Sequence, residues 1–199
     1  MIIFSIGNPG PMNRHSAGHL MLKLLMDNYS IKQLVKKSTY SISSSNNYKM
    51  IFIKSNSYMN ESNKSWQSLI KLEKLNLVNS IILILYDDFE NDLSEIRISQ
   101  FKNKNESHNG IKNLSTIMNF DNVYKFGIGI GPKPKNATRE IMSSWVLSKF
   151  KPEEIAILES ISLQKSIMFI EEIMEMHGDI IDINKFNSKL NKMWKSMEG

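Results

Sequence analysis

The chain contains no cysteine. Disulfides, thiolate nucleophiles and cysteine-bound metals are therefore excluded, and the composition fits a reducing compartment. No apolar run approaches the roughly 20 residues a membrane-spanning helix needs, so no membrane association is expected. The first apolar run, residues 2–6, is too short for the core of a secretory leader and has no basic flank. Glycine and proline are sparse, 9 and 5 among 199 residues, and no linker or internal repeat divides the chain. One compact domain over residues 1–199, large enough for a sizeable core, is the expectation. No Gly-x-Ser-x-Gly elbow offers a serine nucleophile. Gly127, Gly129 and Gly131 lead into Pro132-Lys133-Pro134-Lys135 rather than a helix, so a dinucleotide cofactor is not expected.

Basic residues outnumber acidic ones, 25 to 20, giving a net charge of +5. That balance leans toward a polyanionic partner, RNA first among them. Strand-like runs at residues 2–6, 50–53, 81–86, 96–99 and 123–130 alternate with helical stripes such as Ala17, Leu20, Met21, Leu24, Leu25. Alternation of this kind predicts an α/β fold with a twisted, mostly parallel sheet flanked by helices. Residues 39–43 and 50–53 form a local hairpin around Ser44-Ser45-Asn46-Asn47, which makes the sheet mixed. From Pro152 onward the pattern is helical, with a break at His177-Gly178.

Polar clusters interrupt this pattern where strands end and helices begin. Asn8-Pro9-Gly10 follows the first strand, and Arg14-His15-Ser16-Ala17-Gly18-His19 opens the first helix. Tyr58-Met59-Asn60 opens the second helix, Asp87-Asp88 ends the most apolar strand, and Ser107-His108-Asn109-Gly110 precedes another helix. In open α/β sheets ligands bind at this carboxyl edge. A turn amide beside a titratable imidazole, Asn8 and His15, marks an active-site candidate. Blander readings exist for each cluster: a turn at Asn109-Gly110, a helix cap at Asn60, a solvated strand end at Asp87. His15 and His19, four apart on a helix, resemble a zinc pair but lack the intervening glutamate of a zincin.

Taken together the clusters resemble the bacterial-type peptidyl-tRNA hydrolases. The matching motifs are Asn8-Pro9-Gly10, Arg14-His15-x-Ala17-Gly18, Tyr58-Met59-Asn60, Asp87-Asp88, His108-Asn109-Gly110, Gly129-Ile130-Gly131 and Trp145-Val146-Leu147-Ser148-x-Phe150. They occur in the family's order and cover essentially the whole chain. The resemblance implies metal-independent, cofactor-free hydrolysis of the ester joining a peptide to the 3′ ribose of tRNA. It assigns His15 as the base and Asp87 as its carboxylate partner. Asn8, Asn60 and Asn109 become the neutral groups that orient water, carbonyl and ribose, with Met59 against the apolar parts of the substrate. Ester hydrolysis needs these types: a base that titrates near neutrality and dipoles where negative charge develops.

Lys102 and Lys104 ahead of His108, with Lys125 and Lys133 around the Gly129 strand, are the expected contacts to tRNA phosphates. Lys185, Lys189, Lys192 and Lys195 fit a solvated helix face. The chain departs from the family at Ser5, Ser16 and Tyr86, and at Gly127, where the family often has arginine. Peptidyl-tRNA is the partner implied, with a monomer in the cytoplasm or a mitochondrion. Two other functions share the same residues: a non-catalytic RNA-binding protein on this scaffold, and a metal hydrolase using His15, His19 and Asp87.

Overall fold

A computed structural model describes residues 1–10, 12–46, 49–101, 106–176 and 182–197. The apolar runs form β1 (Ile2–Ser5), β4 (Ile51–Ser55), β5 (Ile82–Asp92), β6 (Ile96–Gln100) and β7 (Val123–Gly131). Two further strands, β2 (Val35–Lys36) and β3 (Tyr40–Ser44), complete a seven-stranded sheet of order β2-β3-β4-β1-β5-β7-β6. The centre is parallel, with β1 between β4 and β5 and β7 beyond β5. β2, β3 and β6 add antiparallel edges. The helices are α1 (Ala17–Asn28), α2 (Ser62–Leu72), α3 (Asn109–Ser115), α4 (Arg139–Val146), α5 (Pro152–Ile157), α6 (Leu163–Glu175) and α7 (Ile183–Met197).

Side-chain alternation divides the core into two layers. Ile3, Phe52, Leu83, Leu85 and Phe126 pack on one face against Met21 and Leu25 of α1 and Phe169 and Ile173 of α6. Ile2, Phe4, Ile53, Ile82 and Ile84 pack on the other against Trp66 of α2 and Ile111 and Leu114 of α3. At the β6 edge, Asn187 of α7 accepts from the Ile98 N–H at 3.0 Å and donates to its carbonyl at 2.7 Å. The amide side chain thus stands in for a neighbouring strand and closes that stretch of edge.

Some elements differ from the sequence expectation. β5 runs on to Asp92, so Asp87 and Asp88 lie within the strand rather than after it. β2 is two exposed residues, too short for any period to register. α4 was not expected, although Thr138 caps its N-terminus by accepting from the Ile141 N–H. The break at His177-Gly178 lies outside the described residues.

Candidate active site

The site begins with a close approach. A Cβ on Gly18 would lie 2.5 Å from the Leu85 carbonyl oxygen and 2.8 Å from that of Ile6. Glycine alone lets α1 sit this close to the ends of β1 and β5. The 3₁₀ turn Arg14–Ser16 that precedes α1 is thereby held over the carboxyl edge of the sheet. Its His15 meets Asp87 of β5, Nδ1 to Oδ2, at 2.6 Å.

The other Asp87 oxygen, Oδ1, lies 2.9 Å from Nε2 of His108. His108 caps α3, its Nδ1 accepting from the Ile111 N–H at 3.3 Å. The proton of its neutral ring is therefore on Nε2, which donates to Asp87. His15 donates through Nδ1, which leaves its Nε2 as a lone-pair acceptor. Asp87 is fully buried between the rings. Burial alone would raise its pKa, but the facing His108 and His15 imidazoles and the hydrogen bonds they donate hold it well below the usual carboxylate range. Burial pulls the His15 pKa down, yet the Asp87 charge and hydrogen bond outweigh that and leave it raised. Tyr86 and Phe89 fix the second imidazole, with ring centroids 5.1 and 6.0 Å from His108.

His15, Phe89, His108 and Asn109 line a cleft of about 640 Å³. Lys133, Arg139, Met142 and Val146 line it as well. A groove of about 690 Å³ at the β2–β3 edge holds no histidine or aspartate and lies away from this chemistry. The amide-bearing segments converge beside the dyad. Asn8 Oδ1 accepts from the Met59 N–H at 3.0 Å, so its NH₂ remains as the donor. A Cβ on Gly110 would run into Met59 Sδ and, at 2.8 Å, Ile6 Cδ1. This contact seats the start of α3, and Asn109 with it, against the Met59 turn. Asn60 is exposed on that turn.

The structure thus brings His15, Asp87 and Asn109 together and links the Asn8 and Met59 segments to them. The Met59 side chain is 3% exposed and belongs to the core, so its expected contact with substrate is corrected: it seats Gly110. Lys125 is also corrected as a phosphate contact, because it is buried within β7 and paired with Glu106 at 2.5 Å. It follows Val123 on the inward face, a period visible in the sequence. Lys133 is exposed on the cleft wall, 2.6 Å from Glu90. Lys102 and Lys104 lie outside the described residues. A Cβ on Gly127 would lie 2.6 Å from Asp88 Oδ2, so a side chain here requires the Asp88 and Tyr86 side chains to shift. Arg97 of β6 stands opposite it in register.

His108 and Arg139 were not singled out from sequence as site residues. The position of His108 three residues before Ile111, at a helix cap, was the available signal for the first. His15, Asp87 and His108 are the group of metal-ligand types clustered among the described residues. They are spaced as hydrogen bonds rather than as a metal site: 2.6 and 2.9 Å are closer than the roughly 3.3 Å between neighbouring ligand atoms on a tetrahedral zinc with bonds of about 2 Å. His19 turns away into the core, 2.9 Å from Ser5 Oγ. Burial, with the Lys54 charge, pushes its pKa down to about 3.

Comparison with known proteins bears on the family and the fold. The family model described as peptidyl-tRNA hydrolase matches residues 2–194. A Mycoplasma mycoides protein named peptidyl-tRNA hydrolase is 32% identical over 194 residues, covering 94% of this chain and 99% of its own. A Lachnoclostridium phytofermentans protein of that name is 33% identical, covering 94% and 97%. In fold, the chain resembles crystalline peptidyl-tRNA hydrolase from Acinetobacter baumannii, with a TM-score of 0.73, 23% identity and coverage of 94% and 93%. The chain belongs to the peptidyl-tRNA hydrolase family.

Proposed function

We propose that this chain hydrolyses peptidyl-tRNA with His15 as general base. His15 Nε2 takes a proton from water as the water oxygen attacks the ester carbonyl carbon. The C–O bond to the 3′ ribose then breaks, and the imidazolium returns the proton to the leaving ribose oxygen. Asp87 fixes the His15 tautomer and stabilises the imidazolium, and His108 steadies the second carboxylate oxygen. Asn8 and Asn109 supply neutral dipoles for the oxyanion and the water, and Asn60 orients the substrate. No metal or cofactor enters these steps.

Lys133 and Arg139 flank the cleft and suit phosphates of the acceptor end, contacts that position without reading sequence. The reading extends to one hydrolase domain over residues 1–199, acting as a monomer where translation runs, in the cytoplasm or a mitochondrion. No helix among the described residues is long and apolar enough to cross a membrane. The observation that carries the function is the buried Asp87 held between two imidazoles, both of which line the cleft. A non-catalytic RNA binder has no use for that arrangement.

The test is release of free tRNA from an N-acetylated aminoacyl-tRNA, with and without a chelator. His15→Ala should lower turnover by ~10²-fold or more, and the chelator should have no effect. A His15→Ala variant with near-normal turnover would remove His15 from the mechanism.

A further inference from the structure

Arg14 immediately precedes the proposed base on the same 3₁₀ turn, yet its side chain points away from solvent, 8% exposed. Its Nη2 donates to both carboxylate oxygens of Glu154, at 2.8 and 2.9 Å. The guanidinium carbon lies 5.3 Å from the Trp145 ring centroid and 5.0 Å from that of Phe150. Nε and Nη1 are buried with no hydrogen-bond partner among the described residues. The backbone joins in, the Arg14 N–H bonding the Ser148 carbonyl at 3.1 Å. Glu154 is itself anchored, accepting from the Lys151 N–H at 2.7 Å at the start of α5.

A buried guanidinium that leaves two nitrogens unsatisfied is a costly way to join two segments. An apolar residue between Trp145 and Phe150 would fill the gap without that cost. What the arginine adds is direction: a planar group stacked between two rings and aimed at a fixed carboxylate has one orientation. The segments it ties together both reach the cleft: His15 follows Arg14 on its turn, and Met142 and Val146 of α4, beside Trp145, line the same cleft.

We propose that Arg14 is a positioning residue for ester hydrolysis: its lock on Glu154, between Trp145 and Phe150, sets the His15 turn against Asp87 and fixes the α4 wall. This rests on His15 being the base. Loosening the lock lets the turn drift by a fraction of an ångström, and displacements near 1 Å cost up to ~10²-fold in rate. The drift also weakens the His15–Asp87 contact. His15 is faced by Asp87 from β5 and by His108 at the cap of α3, with Lys133 and Arg139 lining the same cleft, and none of these is altered by a change at Arg14 or Glu154.

The experiment measures kcat, KM and the pH profile of kcat on N-acetylated aminoacyl-tRNA for Arg14→Lys, Glu154→Gln and the double variant, with melting followed in parallel. Glu154→Gln keeps the shape and an acceptor for the Lys151 N–H, so it serves if Arg14→Lys does not fold. The lock predicts a fall in kcat of roughly tenfold or more in each single variant, with KM changed by less than about threefold. The acidic limb should move to lower pH, and the double variant should be little worse than either single one. Lower melting temperature with normal kcat overturns the proposal in favour of a purely structural arginine. A rise in KM alone, or a fall in kcat with the limb unmoved, overturns it as well. His15→Ala run alongside separates the two claims, because its retained activity would sink the base assignment whatever Arg14 does.

Discussion

Asp87→Asn is the sharpest perturbation of the proposed chemistry, because an amide cannot do what a carboxylate does between these two rings. Asp87 accepts from His15 on one oxygen and from His108 on the other. Asparagine offers one oxygen and one NH₂. His108 cannot accept from it, since its Nδ1 already takes the Ile111 N–H and its Nε2 carries the proton. The amide oxygen therefore goes to His108, and the NH₂ faces His15. His15 must then move its proton to Nε2, the atom proposed to deprotonate water. Restoring the reactive tautomer sets donor against donor in a fully buried place, at about 1–3 kcal/mol, or roughly 5- to 150-fold. Loss of the carboxylate beside the forming imidazolium adds to this, so turnover should fall by ~10²- to 10⁴-fold. The pH dependence has a definite sign. Asp87 raises the His15 pKa against the pull of burial, so the protonated, inactive base persists to higher pH. Removing the charge should shift the acidic limb to lower pH as the maximum drops. Single-turnover tRNA release across pH 4.5–8.5, a window of about two units either side of a histidine's usual pKa, measures both. Adding His108→Ala frees the amide to flip, so the double variant should lose less than the product of the single losses. An Asp87→Asn enzyme with wild-type turnover and an unmoved limb would refute the reasoning.

Other outcomes follow from the same geometry. Lys133→Gln and Arg139→Gln should each raise KM and reduce the log–log salt slope by about 0.7 if each contacts a single-stranded phosphate. A minimal substrate carrying only the terminal nucleotide should not respond to either change, and equal losses on both substrates would place these groups in the chemistry instead. His19 has a folded pKa lowered to about 3 against about 6.5 unfolded, so its stabilising share is full at higher pH and is lost as pH falls below 6.5. From well above pH 6.5 down to pH 5 that share should fall by about 2 kcal/mol, seen as a shrinking difference in urea stability between wild type and His19→Gln; a constant difference would contradict it. Gly18→Ala forces a Cβ against the Leu85 and Ile6 carbonyls and should cost about 1–3 kcal/mol or more. A variant with unchanged melting would show that α1 can back away freely.

Much of this was legible locally. The parallel centre of the sheet follows from apolar runs alternating with helical stripes, and His15 follows from a turn amide and an imidazole at one strand end. What escaped depends on partners far apart in the chain. Nothing near Asp87 announces that His108, 21 residues on, will take its second oxygen, and nothing near Arg14 points to Glu154, 140 residues away. Lys125 is a different failure. Strand alternation already placed it on the same face as Val123, but a basic residue near a glycine-rich turn was read as a surface charge. Met59 misled in the same way, since a methionine between a tyrosine and an asparagine gives no sign of whether it faces substrate or core.

The charges around the site separate into buried pairs and exposed groups, and that division bears on what the net charge of +5 does. Arg14 and Lys125 are buried against Glu154 and Glu106; burial would raise both carboxylates, but the Lys151 N–H and Arg14 at Glu154, and Lys125 and the His108 N–H at Glu106, hold them below their usual range. Such cations cannot neutralise a phosphate without first abandoning a buried carboxylate, which costs several kcal/mol. The exposed cations at the cleft are Lys133 and Arg139, with Arg97 opposite Gly127. Lys133 shares an exposed pair with Glu90, and surface pairs of this kind are worth no more than about 1 kcal/mol. A phosphate can therefore compete for Lys133 but not for Lys125. On the proposed reading, contact with the acceptor end falls to the exposed rim, and the interior cations are left to hold the segments around His15.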